Sequence, residues 1–114
     1  MKKTFQLVGS TLLAAAFLTA APQDTKAAAH AGDVAKGKEA FEQCGACHNT
    51  EDDEKKMGPS LKGLFKRAKM TNGKKPTEAT VKEMINKGGN GMPPYEDLLS
   101  DEEKTNVIAY LKTL

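Results

Sequence analysis

The sequence has no tryptophan, and its aromatic residues are four phenylalanines and two tyrosines among 114 residues. Cysteine and histidine are equally scarce, with two of each. A domain this small with so few large apolar side chains buries only a limited core, and proteins of this size commonly contain an additional stabilising group. The composition therefore leaves space for a large apolar group that the polypeptide itself does not supply.

No apolar run is long enough for a membrane-spanning helix, which needs about 20 apolar residues. The longest, residues 5–17, follows Lys2 and Lys3 and precedes small residues that continue to Ala29. This order is typical of a secretory signal peptide. We predict a signal peptide at residues 1–29 and one domain at residues 30–114, and an uncleaved helical anchor is the alternative. No twin-arginine pair and no nearby cysteine for a lipid are present, so we expect a soluble periplasmic protein without stable membrane insertion.

The predicted domain lacks a net charge, because residues 30–114 contain 14 basic and 14 acidic residues. Nucleic-acid-binding domains usually have a basic face and a matching fold motif, so we expect no nucleic-acid partner. The charges are nevertheless segregated: residues 55–75 include eight basic residues and no acid, whereas residues 51–54 are all acidic. This asymmetry favours oriented encounters with a partner. An ordinary solvated surface is the alternative.

The spacing of apolar residues predicts helices and no strand of useful length, so we expect an all-α fold. Four segments carry the pattern: a helix capped by Asp33 that runs into Cys44, a short turn at residues 61–65, a helix from Thr77 to Gly88, and a final helix after Ser100. The residues expected to face inward are Val34, Gly37, Phe41, Val81, Met84, Ile85, Val107, Tyr110, Leu111 and Leu114.

Both cysteines lie in the segment Cys44-Gly45-Ala46-Cys47-His48. A thioredoxin-like redox pair would need a βαβ context, tetrahedral zinc would need a fourth ligand that only His30 offers, and a disulfide across two residues would constrain the unfolded chain little. Covalent haem attachment is the remaining reading, because thiols three positions apart can reach two vinyl groups on one porphyrin edge. The next residue then projects its imidazole toward the iron. We therefore predict one haem c bound through Cys44 and Cys47, with His48 as an axial ligand.

From Gly37 onward the sequence resembles the class I c-type cytochromes, which are small monohaem electron carriers. Gly37 and Phe41 match the N-terminal helix of that family, and residues 58–67 (GPSLKGLFKR) are similar to its G-P-x-L-x-G-L-F-x-R run. The resemblance implies a small cytochrome c fold of about four helices around the haem, with the N- and C-terminal helices crossed at the glycine. The segment after Arg67 is shorter than in mitochondrial members, as in compact bacterial forms.

The same resemblance implies roles for two further residues. The carbonyl of Pro59 would accept a hydrogen bond from His48, which fixes the tautomer and raises the basicity of the ligand. Arg67 would lie near a haem propionate. The alternative for Arg67 is a position on a solvated basic face.

The candidates for the sixth iron ligand are Met57, Met70, Met84, Met92 and His30. Met84 falls on the inward face of a predicted helix, where methionine usually fills the core. Met57 directly precedes the Gly-Pro pair expected on the histidine side. Met92 follows a glycine-rich segment that allows close approach to a ring, and the proline after it favours an extended backbone. The Met-Pro-Pro-Tyr run is also similar to bacterial members of the family, so we assign Met92.

His/Met ligation fills every coordination position of the iron and raises the reduction potential relative to bis-histidine ligation. We therefore predict a monomeric single-electron carrier, not an enzyme, that meets transient redox partners. One alternative is a haem peroxidase or gas-binding sensor in which the Met92 bond is labile. A second is a thiol-active or zinc-binding module without haem.

Overall fold

The structure, a computed structural model, describes residues 31–114 and is all-α. Its helices are α1 (Val34–Gly45), α2 (Glu78–Lys87) and α3 (Asp101–Leu111), with a 3-10 turn at Leu64–Lys66 between α1 and α2. Outside these elements, the described chain contains one isolated β-bridge, between Gly89 and Met92. The predicted fold class is confirmed, and the expected short helical turn is the 3-10 turn.

The predicted signal peptide and His30 lie outside the described residues, so the proposed cleavage point stays a prediction. None of the helices within residues 31–114 combines the length and apolarity needed to cross a membrane.

Side-chain caps start all three helices, as the sequence predicted. The Asp33 carboxylate accepts a hydrogen bond from the backbone N–H of Lys36 at 3.0 Å, which satisfies one of the unpaired donors of the first turn. Thr77 and Ser100 each form a reciprocal capping box with the residue three positions later. At the other end of α2, Gly88 has a φ of 61° and ends the helix.

The core lies between α1 and α3 and is completed by α2 and the 3-10 turn. The buried hydrophobic cluster consists of Phe41, Leu64, Val81, Ile85, Leu99, Val107, Ile108 and Leu111. The rings of Phe41 and Tyr110 meet across the α1–α3 contact with centroids 5.3 Å apart and a tilt of 56°. Val34 departs from the prediction: it lies in the first turn of α1 and is 45% exposed, so the inward stripe of the helix begins at Gly37.

Gly37 marks the closest approach of α1 and α3. A Cβ atom at this position would lie 1.9 Å from the backbone carbonyl oxygen of Asn106. The Asn106 side chain is buried, and its Oδ1 accepts a hydrogen bond from the backbone N–H of Asp33 at 2.7 Å. The absence of a side chain at Gly37 therefore lets the two helix backbones meet, as expected from the family resemblance.

We expect Gly37→Ala to destabilise the protein by about 3 kcal/mol, because the clash is with backbone and no rotamer change relieves it. The matched control is Gly45→Ala at the end of the same helix, where a Cβ atom meets nothing within 4 Å. That variant should change stability by less than about 1 kcal/mol. Denaturant unfolding of both holoproteins measures the difference, and equal stabilities would contradict the assigned helix contact.

Candidate functional site

The two cysteines and His48 lie on one turn at the end of α1. The backbone N–H groups of Cys47 and His48 both donate to the carbonyl oxygen of Cys44, at 3.1 and 2.9 Å. The chain therefore curls around this carbonyl and keeps the two thiols and the imidazole close together. Both cysteines are free and partly buried, so the structure contains no disulfide between them.

The two thiols have different neighbours. Burial raises the pKa of the Cys44 thiol, and the neighbouring Cys47 raises it further. Cys44 also packs against the hydrophobic cluster, whereas Sγ of Cys47 lies 3.8 Å from Sδ of Met57, which is 82% exposed. The first thiol of the turn therefore contacts the core, and the second lies beside an exposed side chain.

The imidazole of His48 is held in one orientation by the segment that follows Gly58. Its Nδ1 lies 2.7 Å from the carbonyl oxygen of Pro59. A carbonyl can only accept, so the proton of the neutral ring belongs on Nδ1 and Nε2 is the nitrogen left to bind a metal. A Cβ atom on Gly58 would lie 2.6 Å from Cε1 of His48, so the backbone of this glycine packs directly against the ring.

Two backbone hydrogen bonds attach that segment to the histidine turn. The N–H of Gly58 donates to the carbonyl oxygen of Cys47 at 2.8 Å, and the N–H of Leu61 donates to the carbonyl oxygen of Asn49 at 2.8 Å. The supporting carbonyl of Pro59 therefore has a fixed position relative to the imidazole. Gly58 was predicted only as part of the family run, and its contact with the ring was not foreseen, although the adjacent proline was a signal for it.

Met92 lies in a tight loop after α2. The backbone of Gly89 and that of Met92 exchange two hydrogen bonds, at 2.9 and 3.0 Å. The loop includes Asn90, a non-glycine residue with a positive φ of 52°. A Cβ atom on Gly88 would lie 2.3 Å from the Met92 carbonyl oxygen, so this glycine permits the loop to close. Met92 is partly buried.

The end of this loop is anchored on the core. Tyr95 packs against the same hydrophobic cluster as Cys44, and burial raises the pKa of its phenol, as negative charge on Cys44 and Cys47 would also do. The backbone N–H of Tyr95 also donates to the carbonyl oxygen of Ile85 at 2.9 Å and so fixes the loop to α2. The loop that carries Met92 and the cysteine turn are therefore attached to the same core cluster.

The other candidate residues are placed differently. Met57 is 82% exposed, Met70 packs against the core cluster and Met84 is partly buried on α2. The Arg67 guanidinium donates to the carbonyl oxygen of Lys62 at 2.6 Å. The role of Arg67 beside a haem propionate stays a prediction.

The donor set fits a haem better than a single metal ion. No group of three or more His, Cys, Asp or Glu side chains within residues 31–114 is arranged to hold a metal. The two thiols and the imidazole can instead serve different atoms of one ring, the thiols at its edge and Nε2 of His48 at its centre. Partly buried apolar residues, which include Leu61, Phe65 and Tyr95, pack against the same hydrophobic cluster as Cys44 and offer the apolar contacts that a porphyrin needs.

Comparisons with known proteins agree with this geometry. The family model described as "Cytochrome C oxidase, cbb3-type, subunit III" matches residues 32–111. Cytochrome c2 of Agrobacterium tumefaciens (strain II Chrys) is 41% identical over 103 residues, which cover 70% of this chain and 90% of that protein. Cytochrome c6 of Diacronema lutheri is 30% identical over 81 residues, with coverage of 70% and 94%.

Solved structures show the same likeness. The crystal structure of cytochrome c6 from the diatom Phaeodactylum tricornutum is 30% identical and matches with a TM-score of 0.58 over 72% of this chain and 93% of its own. The expected family is thereby confirmed. The chain belongs to the class I monohaem c-type cytochromes, electron carriers with one covalently attached haem c.

Proposed function

We propose that the protein is a soluble periplasmic single-electron carrier in which Cys44 and Cys47 form the thioether bonds to the haem. In this proposal His48 and Met92 are the two axial ligands of the iron. The observation that carries it is the 2.7 Å contact between Nδ1 of His48 and the Pro59 carbonyl oxygen, next to two free thiols on the same turn. This contact leaves Nε2 of the imidazole available to the iron.

Pro59 and Gly58 act on the iron through His48. The Pro59 carbonyl holds a proton on Nδ1, which fixes the tautomer and makes Nε2 a stronger donor. The Gly58 backbone lies against the ring and resists its rotation. When bound, the haem supplies an iron centre that alternates between two oxidation states. A fixed imidazole keeps the ligand geometry the same in both states, so little rearrangement accompanies electron transfer.

Met92 is the methionine best supported as the opposite ligand. Its loop is closed by paired backbone hydrogen bonds, and Tyr95 anchors the end of the loop on the hydrophobic cluster against which Cys44 also packs. Met57 lies beside Cys47 and is 82% exposed, which does not suit a ligand enclosed by protein. With a histidine on one side and a thioether on the other, the iron has no open position, so we propose electron transfer and no catalytic reaction.

The proposed partners are redox proteins that the monomer meets transiently. Some cations of the basic segment, residues 55–75, already have partners within the chain: Lys74 pairs with Glu83 at 2.7 Å, and Lys56 donates to the Gly45 carbonyl at 3.2 Å. Lys55, Lys62, Lys69 and Lys75 are exposed, and among the described residues no salt bridge involves them. These lysines support docking to a negatively charged partner. The signal-like residues 1–29 support export to the periplasm.

The axial ligand is tested by Met92→Ala. We expect this variant to lose the methionine-to-iron charge-transfer band of the oxidised protein, and its reduction potential should fall by on the order of 0.1 V, within the roughly 0.8 V range that axial ligands span. Met57→Ala is the matched control and should retain both. Spectra and redox titrations of the three proteins make the comparison.

Two outcomes would contradict the proposal. Retention of the band in Met92→Ala would exclude Met92 as the ligand. A wild-type protein that lacks the band near neutral pH and binds carbon monoxide tightly would instead favour a peroxidase or gas-binding sensor.

The basic segment predicts a dependence on charge and salt. Oxidation of the reduced protein by ferricyanide, an anion, should slow as ionic strength rises, because salt screens the attraction. Replacing Lys55 and Lys62 together by glutamate should slow it about threefold at low salt. The double replacement of Lys36 and Lys38 on α1 by glutamate changes the net charge equally and should have a smaller effect. Stopped-flow rates that are equal for both pairs would argue against steering by this segment.

A further inference from the structure

Lys104 is the one charged residue among residues 31–114 that is buried, with 4% of its surface exposed. It lies in the first half of α3, the helix that packs against α1. A buried ammonium group is costly unless it is hydrogen bonded, and lysine is almost never fully buried without a partner. The burial of Lys104 therefore requires a hydrogen-bond partner for its ammonium group, which a surface lysine would not need.

The partner of this ammonium group is the loop that follows Met92. Nζ of Lys104 donates a hydrogen bond to the carbonyl oxygen of Glu96 at 2.8 Å. Hydrogen bonds from a charged donor are roughly twice as strong as neutral ones, and removal from water strengthens them further. The contact thus fastens the loop to a helix that is itself fixed in the core.

Apart from the packing of Tyr95 and Leu99 against the core cluster, few other hydrogen bonds hold this part of the loop. Pro93 and Pro94 have no backbone N–H and donate no hydrogen bond. The N–H groups of Leu98 and Leu99 donate to the carbonyl of Tyr95, so they close a local turn. Within residues 31–114, two hydrogen bonds join residues 93–96 to a helix: the Tyr95 N–H donates to the Ile85 carbonyl on α2, and Nζ of Lys104 donates to the Glu96 carbonyl.

We propose that Lys104 is a positioning residue that holds Met92 at the iron. Two prolines make the chain between Met92 and Tyr95 stiff, so a displacement at Glu96 is transmitted to the methionine. The ammonium group, by fixing Glu96, opposes the opening of the loop and the release of the sulfur. This inference rests on the proposed ligation by Met92.

Exogenous imidazole tests the inference in the oxidised holoprotein, because it binds the iron only when the methionine leaves. Lys104→Met keeps the length and the apolar stem but removes the donor, and it leaves no unpaired charge in the core. Lys104→Arg retains a cationic donor. Lys36→Met on α1 is the matched control: it removes the same charge from a lysine that is 63% exposed and 3.7 Å from its partner Glu102.

We expect Lys104→Met to bind imidazole about tenfold more tightly than wild type, the effect of losing one charge-assisted hydrogen bond that favours the closed loop. The Tyr95 amide should exchange with deuterium about tenfold faster, which reports loop opening independently of ligand binding. Lys104→Arg should restore both values toward wild type, and Lys36→Met should leave both unchanged.

The inference would be overturned if Lys104→Met bound imidazole with an affinity within about twofold of that of the wild type. A lower denaturant midpoint would not change this conclusion, because lower stability with unchanged affinity means that the lysine is purely structural. If Lys104→Met does not fold, Lys104→Leu, which also lacks a donor, is tested, and wild-type affinity in that variant has the same consequence. Absence of the methionine charge-transfer band from the wild type would overturn the Met92 assignment and this inference with it. Its presence together with unchanged affinity would overturn this inference alone.

Discussion

The packing of α1 against α3 is the constraint on which the rest of the structure depends. The two backbones meet where Gly37 faces the carbonyl of Asn106, at a distance that no side chain on α1 would permit. Because α1 ends in the cysteine turn and Lys104 on α3 donates to the loop after Met92, this contact helps to fix the two segments of the proposed haem site relative to each other. A small protein with a limited apolar core thus positions its chemistry through one helix pair.

α3 combines core packing with polar contacts. Val107, Ile108 and Leu111 are buried hydrophobic residues, yet Lys104 and Asn106 are buried beside them. Each polar side chain has a specific partner, Glu96 for the lysine and Asp33 for the asparagine. Buried polar groups without partners would be costly, so these pairs restrict the helix to one position against its neighbours. The helix therefore connects the start of α1 with the Met92 loop.

The proposed electron transfer needs ligands that do not move when the iron changes oxidation state. On the histidine side, rigidity comes from a carbonyl that faces Nδ1 and a glycine backbone against the ring. On the methionine side, it comes from paired backbone hydrogen bonds in a loop with several positive φ angles. The two sides use different devices, because a planar imidazole must be prevented from rotating whereas a flexible thioether must be carried by a fixed backbone.

The sequence by itself determined the structural features that depend on residues close to one another along the chain. The three helix starts followed from capping residues at Asp33, Thr77 and Ser100, and covalent haem followed from the spacing of two thiols and an imidazole. The likeness of residues 58–67 to a family run predicted the contact between Pro59 and His48. The spacing of these residues alone does not predict it.

Only the tertiary structure decided which side chains are buried. Val34 is exposed although the helical pattern predicted an inward position, and Lys104 is buried although lysine is usually a surface residue. The contact of Gly58 with the imidazole also appeared only in the structure, although the adjacent proline had been a signal for it. The physical reason is that periodicity and capping act within a few residues, whereas burial depends on segments far apart in the chain that meet only when α1, α2 and α3 pack.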